Sequence, residues 1–249
     1  VYPPIGHVGN GPSGVTYMTG PAVPDSLRGK FLMCNYRGSP TRSEVLTIPI
    51  ESKGAGFSVG EVTPFISGLN ASDVELAYDG KVYLVEFGSG WSPDDKGSVQ
   101  VAHPKDQNLT KAGDAVARLF EQGFKQRSID ELRNLLAHSD QRVRQSAQFA
   151  LVKKGDLVLP LFKQIISAAK PDEIAPLHAL WGVGQLARTD NEPAQAELIE
   201  CLDHKLMEIR ANAARLCGDL GLVQSKAKLI GLLKDPSPRV SSLAAIALG

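Results

Sequence analysis

The chain has 249 residues, 43% of them hydrophobic, enough to build one large core or two ordinary ones. Its 27 basic and 27 acidic residues cancel, so charge gives no reason to expect nucleic acid or an anionic membrane as a partner. No apolar run approaches the roughly 18 to 20 residues that span a bilayer, and Cys34, Cys201 and Cys217 lie outside any CxxC or CxxCH arrangement, so neither a disulfide framework nor a metal or covalent haem motif is visible.

The opening Val1-Tyr-Pro-Pro has no Met, basic region or apolar leader, and the natural start is expected upstream. Pro3, Pro4, Pro12, Pro21 and Pro24, with glycines at 6, 9, 11, 14, 20 and 29, forbid a helix before residue 30 and leave room for short strands such as Val15–Met18. Phe31–Tyr36 reads as a strand, Glu44–Ile50 as its antiparallel partner across the polar loop 39–43, and residues 57–59 and 62–66 continue the pattern. Asp79-Gly80 then predicts a two-residue type I′ hairpin turn between a strand carrying Val74, Leu76 and Tyr78 and one carrying Val82 and Leu84. Gly88, Gly90 and Gly97 with Trp91 and Pro93 make a loop, and Ser98–Val101 supplies a further strand. Strands recur every eight to twelve residues from about 15 to 102, the spacing of an all-β sandwich, barrel or propeller, and hairpin, loop and final strand together read as most of one propeller blade.

Near residue 105 the period changes. Residues 103–110 read as a linker with Asn108 or Thr110 as the cap of an entry helix, and Val116, Leu119 and Phe120, then Ile129, Leu132, Leu135 and Leu136, fall at helical spacing. Four segments then align without gaps: Val143–Leu151, Leu177–Gln185, Ile209–Cys217 and Val240–Leu248, with starts 34, 32 and 31 positions apart. Ala147, Trp181, Ala213 and Ala244 follow at plus four, and Ala150, Gly184, Leu216 and Ala247 at plus seven, which marks the inner face of a second helix packed closely on its neighbours. Polar turns at 138–142, 203–205 and 235–239 separate these helices from leucine-rich first helices.

The pattern from Asp140-Gln-Arg-Val-Arg to Asp235-Pro-Ser-Pro-Arg-Val resembles short bacterial HEAT repeats over residues 125–249. The last copy ends at Gly249 without a polar capping helix, so the natural chain is expected to continue. Upstream, the order GPSGVTY, FLMCNYRG and ASDVELAYDGKVYLVEFGSGW resembles the C-terminal part of a glucose/sorbosone-dehydrogenase-like β-propeller. The combination is similar to large secreted planctomycete-type proteins that join such a propeller to HEAT repeats and to a haem-binding CxxCH domain. The resemblance implies a two-domain chain, β then α: a partial propeller of about two blades over 1–104, a linker and entry helix over 105–124, and a HEAT-like α-solenoid over 125–249.

It also implies a chemistry: a periplasmic or secreted quinoprotein-like dehydrogenase of sugars or polyols, using pyrroloquinoline quinone and Ca²⁺ in the parent propeller and passing electrons to haem c in a domain outside this chain. On that reading Arg37 holds a quinone carboxylate, Asp73 faces the central channel and Trp91 stacks on a sugar, while Asn70 and Ser72 stand where such enzymes carry arginines. The residues read alone give other roles: Arg37 as a loop-end ion pair, Asp73 as the cap of a turn, Trp91 as blade packing. His7 reads as a polar loop residue, His178 and Trp181 as solenoid core or concave edge, and Cys201 and Cys217 as small core residues. The alternative function is a non-catalytic scaffold that binds a protein or polysaccharide on the solenoid's concave face. Whether the chain is an enzyme is left open by its sequence.

Overall fold

Eight strands follow the apolar runs of the first hundred residues in the computed structural model, which describes residues 4–88 and 96–249. The chain divides into two units, the first comprising Val1–Lys53 and Phe57–Gln122 and the second Gly123–Gly249 together with the short turn Gly54–Gly56.

In the first unit, β1 (Pro12–Tyr17), β2 (Lys30–Asn35), β3 (Glu44–Lys53) and β4 (Gly56–Val59) form one sheet in chain order, and β5 (Thr63–Ser67) also pairs with β3. The expected pairing of β2 with β3 is antiparallel, with Cys34 opposite Val45 and Leu32 opposite Thr47. A second sheet holds β6 (Ala71–Leu76), β7 (Val82–Glu86) and β8 (Ser98–Ala102) in chain order. Period-two alternation sends Leu32, Cys34 and Val45 of one sheet and Val74, Leu76, Val82 and Leu84 of the other into a shared core, so the sheets lie face to face. Met33, Leu46 and Ile48 bury the opposite face of the first sheet under Val8, Val59 and Val62. The opposite face of the second sheet leaves Tyr83, Val85, Val99 and Val101 exposed side by side. Among the described residues these are two open sheets, with no closed barrel or ring.

The hairpin at Asp79-Gly80 forms, with a different turn from the one expected. Ala77 N–H donates to Lys81 O at 2.8 Å and Gly80 N–H to Ala77 O at 3.1 Å, and Gly80 has φ +81° whereas Asp79 is not left-handed. This is a three-residue connection with glycine at the left-handed bulge position, not a two-residue type I′ turn. The Asp79 carboxylate explains the difference, since it accepts from Lys81 N–H at 3.1 Å and pairs with Lys81 Nζ at 2.6 Å; burial alone would raise its pKa, and these two hydrogen bonds bring it net below its ordinary value. Helix α1 (Gln107–Gln122) begins within the expected linker, and its cap is Asp106, which accepts from Asn108 N–H at 2.7 Å, rather than Asn108 or Thr110. The Phe120 ring stacks on Tyr78, with centroids 3.7 Å apart.

The second unit is four helix pairs. First helices α2 (Ile129–Leu135), α4 (Leu159–Ser167), α6 (Glu192–Glu200) and α8 (Lys226–Leu232) alternate with second helices α3 (Gln141–Val152), α5 (Ala175–Ala187), α7 (Met207–Asp219) and α9 (Pro238–Leu248). Each repeat segment read from the sequence starts two residues inside its second helix. Ser128 and Glu131 close a capping box on α2, Asp140 caps α3 and Asn191 caps α6. Leu132, Leu136, Phe162, Ile166, Leu180, Leu198 and Leu202 line a continuous core, each contributing roughly 1.5–3 kcal/mol on full burial. Small residues at plus four let the second helices approach: Ala147, Ala213 and Ala244 are wholly buried.

Candidate functional site

The second helices α3, α5, α7 and α9 pack on one another in order, and along their face runs a chain of polar side chains. Its direction is set by Arg144, because a guanidinium can only donate. Arg144 Nε–H donates to His178 Nε2 at 3.1 Å, so the imidazole proton sits on Nδ1, which lies 2.8 Å from Gln148 Oε1. Gln148 Nε2 is thereby left to donate to Gln185 Oε1 at 3.3 Å. Burial, reinforced by the Arg144 charge, pushes the His178 pKa down to about 4, so the ring is neutral at ordinary pH and the chain keeps one polarity. Trp181 packs edge-on against His178, with centroids 4.8 Å apart, and its Nε1–H donates to Asn212 Oδ1 at 3.0 Å, while Asn212 Nδ2 donates to Glu208 O.

This chain opens into a cleft of about 230 Å³ lined by Gln148, Trp181, Gln185 and Arg188 on one side and Asn212 and Arg215 on the other. Helical spacing puts them there: Trp181, Gln185 and Arg188 lie four and seven residues apart on α5 and its C-terminal cap, and Asn212 and Arg215 three apart on α7. Arg188 is exposed, and its side chain makes no hydrogen bond or ion pair among the described residues, whereas Arg215 reaches Asp219 at 3.4 Å.

Arg144 also has a counterpart that sequence reading missed. Its Nη1 donates to His138 O and Ser139 O at 2.7 and 3.0 Å, and Arg210 Nη1, at the same position two repeats later, donates to His204 O and Lys205 O at 2.8 and 3.0 Å. Both arginines satisfy carbonyls that follow the end of a first helix. Each Nε then reaches the next repeat: Arg144 ends on neutral His178, Arg210 on Asp235 in a bidentate pair at 2.8 and 3.1 Å that lowers the Asp235 pKa. The signal was present, since Arg144 and Arg210 each follow a histidine by six positions.

In the first unit, Arg37 is exposed at the end of β2, and the ion pair expected for it is not formed among the described residues. Its main-chain N–H donates to Ser43 Oγ at 2.8 Å, and Ser43 Oγ–H donates to Asn70 Oδ1 at 2.6 Å. Asn70 is wholly buried and its Nδ2 donates to Gly88 O at 3.0 Å, while Ser72 Oγ–H donates to Val85 O. Asp73 lies inside β6 at a bulge, not in the turn before it, and its Oδ1 accepts from Val74 N–H at 2.9 Å. Gly14 of β1 lies so close that a Cβ there would overlap Asp73 and Val74. No hydrogen bond or ion pair joins Arg37 to Asp73 among the described residues, and Trp91 lies outside them.

This donor set does not fit the carboxylates of a quinone: one exposed guanidinium, an amide with both ends engaged, and a carboxylate of the same sign as the ligand. Among the described residues no three His, Cys, Asp or Glu side chains come together to hold a metal, and no helix is long and apolar enough to cross a membrane. Burial pushes the thiols of Cys34 and Cys201 up to about 12 and that of Cys217 to about 11, as suits packing residues rather than nucleophiles.

A family model described as HEAT repeats matches residues 158–249. No curated relative matches the chain. Among solved structures, human deoxyhypusine hydroxylase in complex with glycerol is similar at 17% identity with a TM-score of 0.40; the match covers 57% of this chain and 56% of that one. The chain thus spans a little over half the length of that structure. Pairs α4–α5, α6–α7 and α8–α9 all fall within the matched range, so the HEAT-repeat match covers residues 158–249, while α2 and α3 precede it.

Proposed function

We propose that the chain is a binding scaffold whose second unit holds a protein partner on the face of its second helices. The observation that carries this reading is the cleft between α5 and α7: a built, polar, partly open surface whose side chains are oriented by buried partners before anything binds. A photo-crosslinker placed at Gln185 tests it. The scaffold reading expects a discrete protein adduct there and none from a crosslinker at Leu157, which is exposed in the turn after α3. Equal yields at both positions contradict it.

A second reading, the dehydrogenase-like propeller, is favoured by one observation. The two sheets of the first unit are laid down in chain order and packed face to face, as neighbouring propeller blades are, and the exposed Tyr83, Val85, Val99 and Val101 face is where a further blade would pack. That reading sets the protein outside the cytoplasm, with pyrroloquinoline quinone and Ca²⁺ in a complete ring and haem c beyond this chain. Titration of a full-length parent carrying the complete ring with the quinone and Ca²⁺, followed by dye reduction over sugars and polyols, separates the two. The scaffold reading expects no saturable binding and no turnover.

A further inference from the structure

The direction of the hydrogen-bond chain decides what the cleft offers. Gln148 Oε1, Gln185 Oε1 and Asn212 Oδ1 are engaged inside the protein by His178, Gln148 and Trp181. What remains for an occupant is the Gln185 Nε2 amide, the Arg188 guanidinium, which has no partner among the described residues, and the flank of the Trp181 ring. Asp219 is the acceptor at the rim, and Arg215 holds it at 3.4 Å. The surface therefore calls for acceptors and negative charge. At about 230 Å³ the cleft is below the about 300–1,000 Å³ usual for small-molecule and cofactor pockets, a size that suits the side chains of a peptide.

We propose that this cleft docks an acidic segment of a protein partner, Arg188 taking an aspartate or glutamate carboxylate and Gln185 Nε2 a main-chain carbonyl, with Trp181 packing alongside. This rests on the scaffold reading and names the partner's chemistry. A basic segment would bring a second cation beside Arg188 while Asp219 is already held by Arg215.

The test is selection of a random peptide library on the full chain, then titration of the selected peptide while Trp181 fluorescence is followed in a Trp91→Phe background. Selected sequences should be enriched in Asp and Glu, should shift Trp181 emission, and should lose affinity by roughly tenfold or more on Arg188→Gln, with a smaller loss on Gln185→Ala. Circular dichroism of both variants should be unchanged, because both positions are on the surface of the cleft. Exchange of the peptide's acidic residues for their amides should weaken binding by the same factor as Arg188→Gln. A basic or neutral consensus that moves Trp181 overturns the acidic assignment and leaves the scaffold reading standing. Acidic peptides indifferent to Arg188→Gln also overturn it. Selection of no peptide that acts on Trp181 overturns both, as does Arg188-dependent binding of alginate in the absence of any peptide ligand.

Discussion

Asn70 in the first unit and Gln148 in the second are both primary amides taken out of water, at 0% and 4% exposure, and both are hydrogen-bonded at each end, yet their networks finish in different places. The Asn70 chain begins on the main-chain N–H of Arg37, passes through Ser43 and stops on the main-chain carbonyl of Gly88. Backbone closes it at either end, so it ties a loop of one sheet to the strand ends of the other and presents nothing outward. The Gln148 chain begins on a guanidinium and ends on an amide that lines a cleft. A closed polar network fixes a fold, and an open one of fixed polarity gives its surface a chemical preference.

Four substitutions or conditions press on that difference. The largest effect is expected where the repeat network ends on a charge: Asp235→Ala strands the Arg210 guanidinium, which is largely buried, and should lower the stability of the second unit by about 3 kcal/mol in urea denaturation. Asn70→Ala leaves the Ser43 hydroxyl and the Gly88 carbonyl without their partner and should cost the first unit about 2 kcal/mol while leaving the second-unit transition in place. If both units shift together, the networks are not local to their units.

The third test is pH. The folded-state pKa of His178 is about 4 against 6.5 for the free side chain, so between those values the unfolded chain binds a proton that the native state refuses. Its contribution is complete above pH 6.5 and is lost as pH falls towards 4. His138 and His204, also pushed down by burial, add the same sign. Urea midpoints should fall across that window, and His178→Gln should flatten the slope. The smallest effect is expected at Arg188→Gln, within about 0.5 kcal/mol of the parent, because the exposed side chain has no hydrogen bond or ion pair among the described residues.

The repeats were legible because burial on a second helix demands small and aliphatic residues at fixed spacing, and Ala147, Ala213 and Ala244 meet that demand in plain sight. Strand positions were legible for the same reason: alternation in β6 and β7 follows from one buried face. The hairpin turn was less so, since Asp79 changes it through its own carboxylate, a contact that propensity does not weigh. The cleft was not legible. Gln148 and Gln185 meet across 37 positions, and a glutamine on a helix reads as solvated until its neighbour is known. His178 and Trp181 read as solenoid core or concave edge, and they do pack, but their ring nitrogens also orient the amides beside them. In the sequence Asn70 stands out only as the absence of an arginine; what it does there, closing a network through Ser43 and Gly88, depends on residues 27 positions before it and 18 after.

The account turns on the direction of the chain from Arg144 to Gln185, and long-range ¹⁵N–¹H correlation of the His178 ring near pH 6 reads that direction directly. The prediction is a neutral imidazole with its proton on Nδ1 and an acceptor Nε2. A ring protonated on Nε2 alone, or an imidazolium, would reverse or break the chain, turn the amides of the cleft around, and contradict the donor surface on which the docking proposal rests.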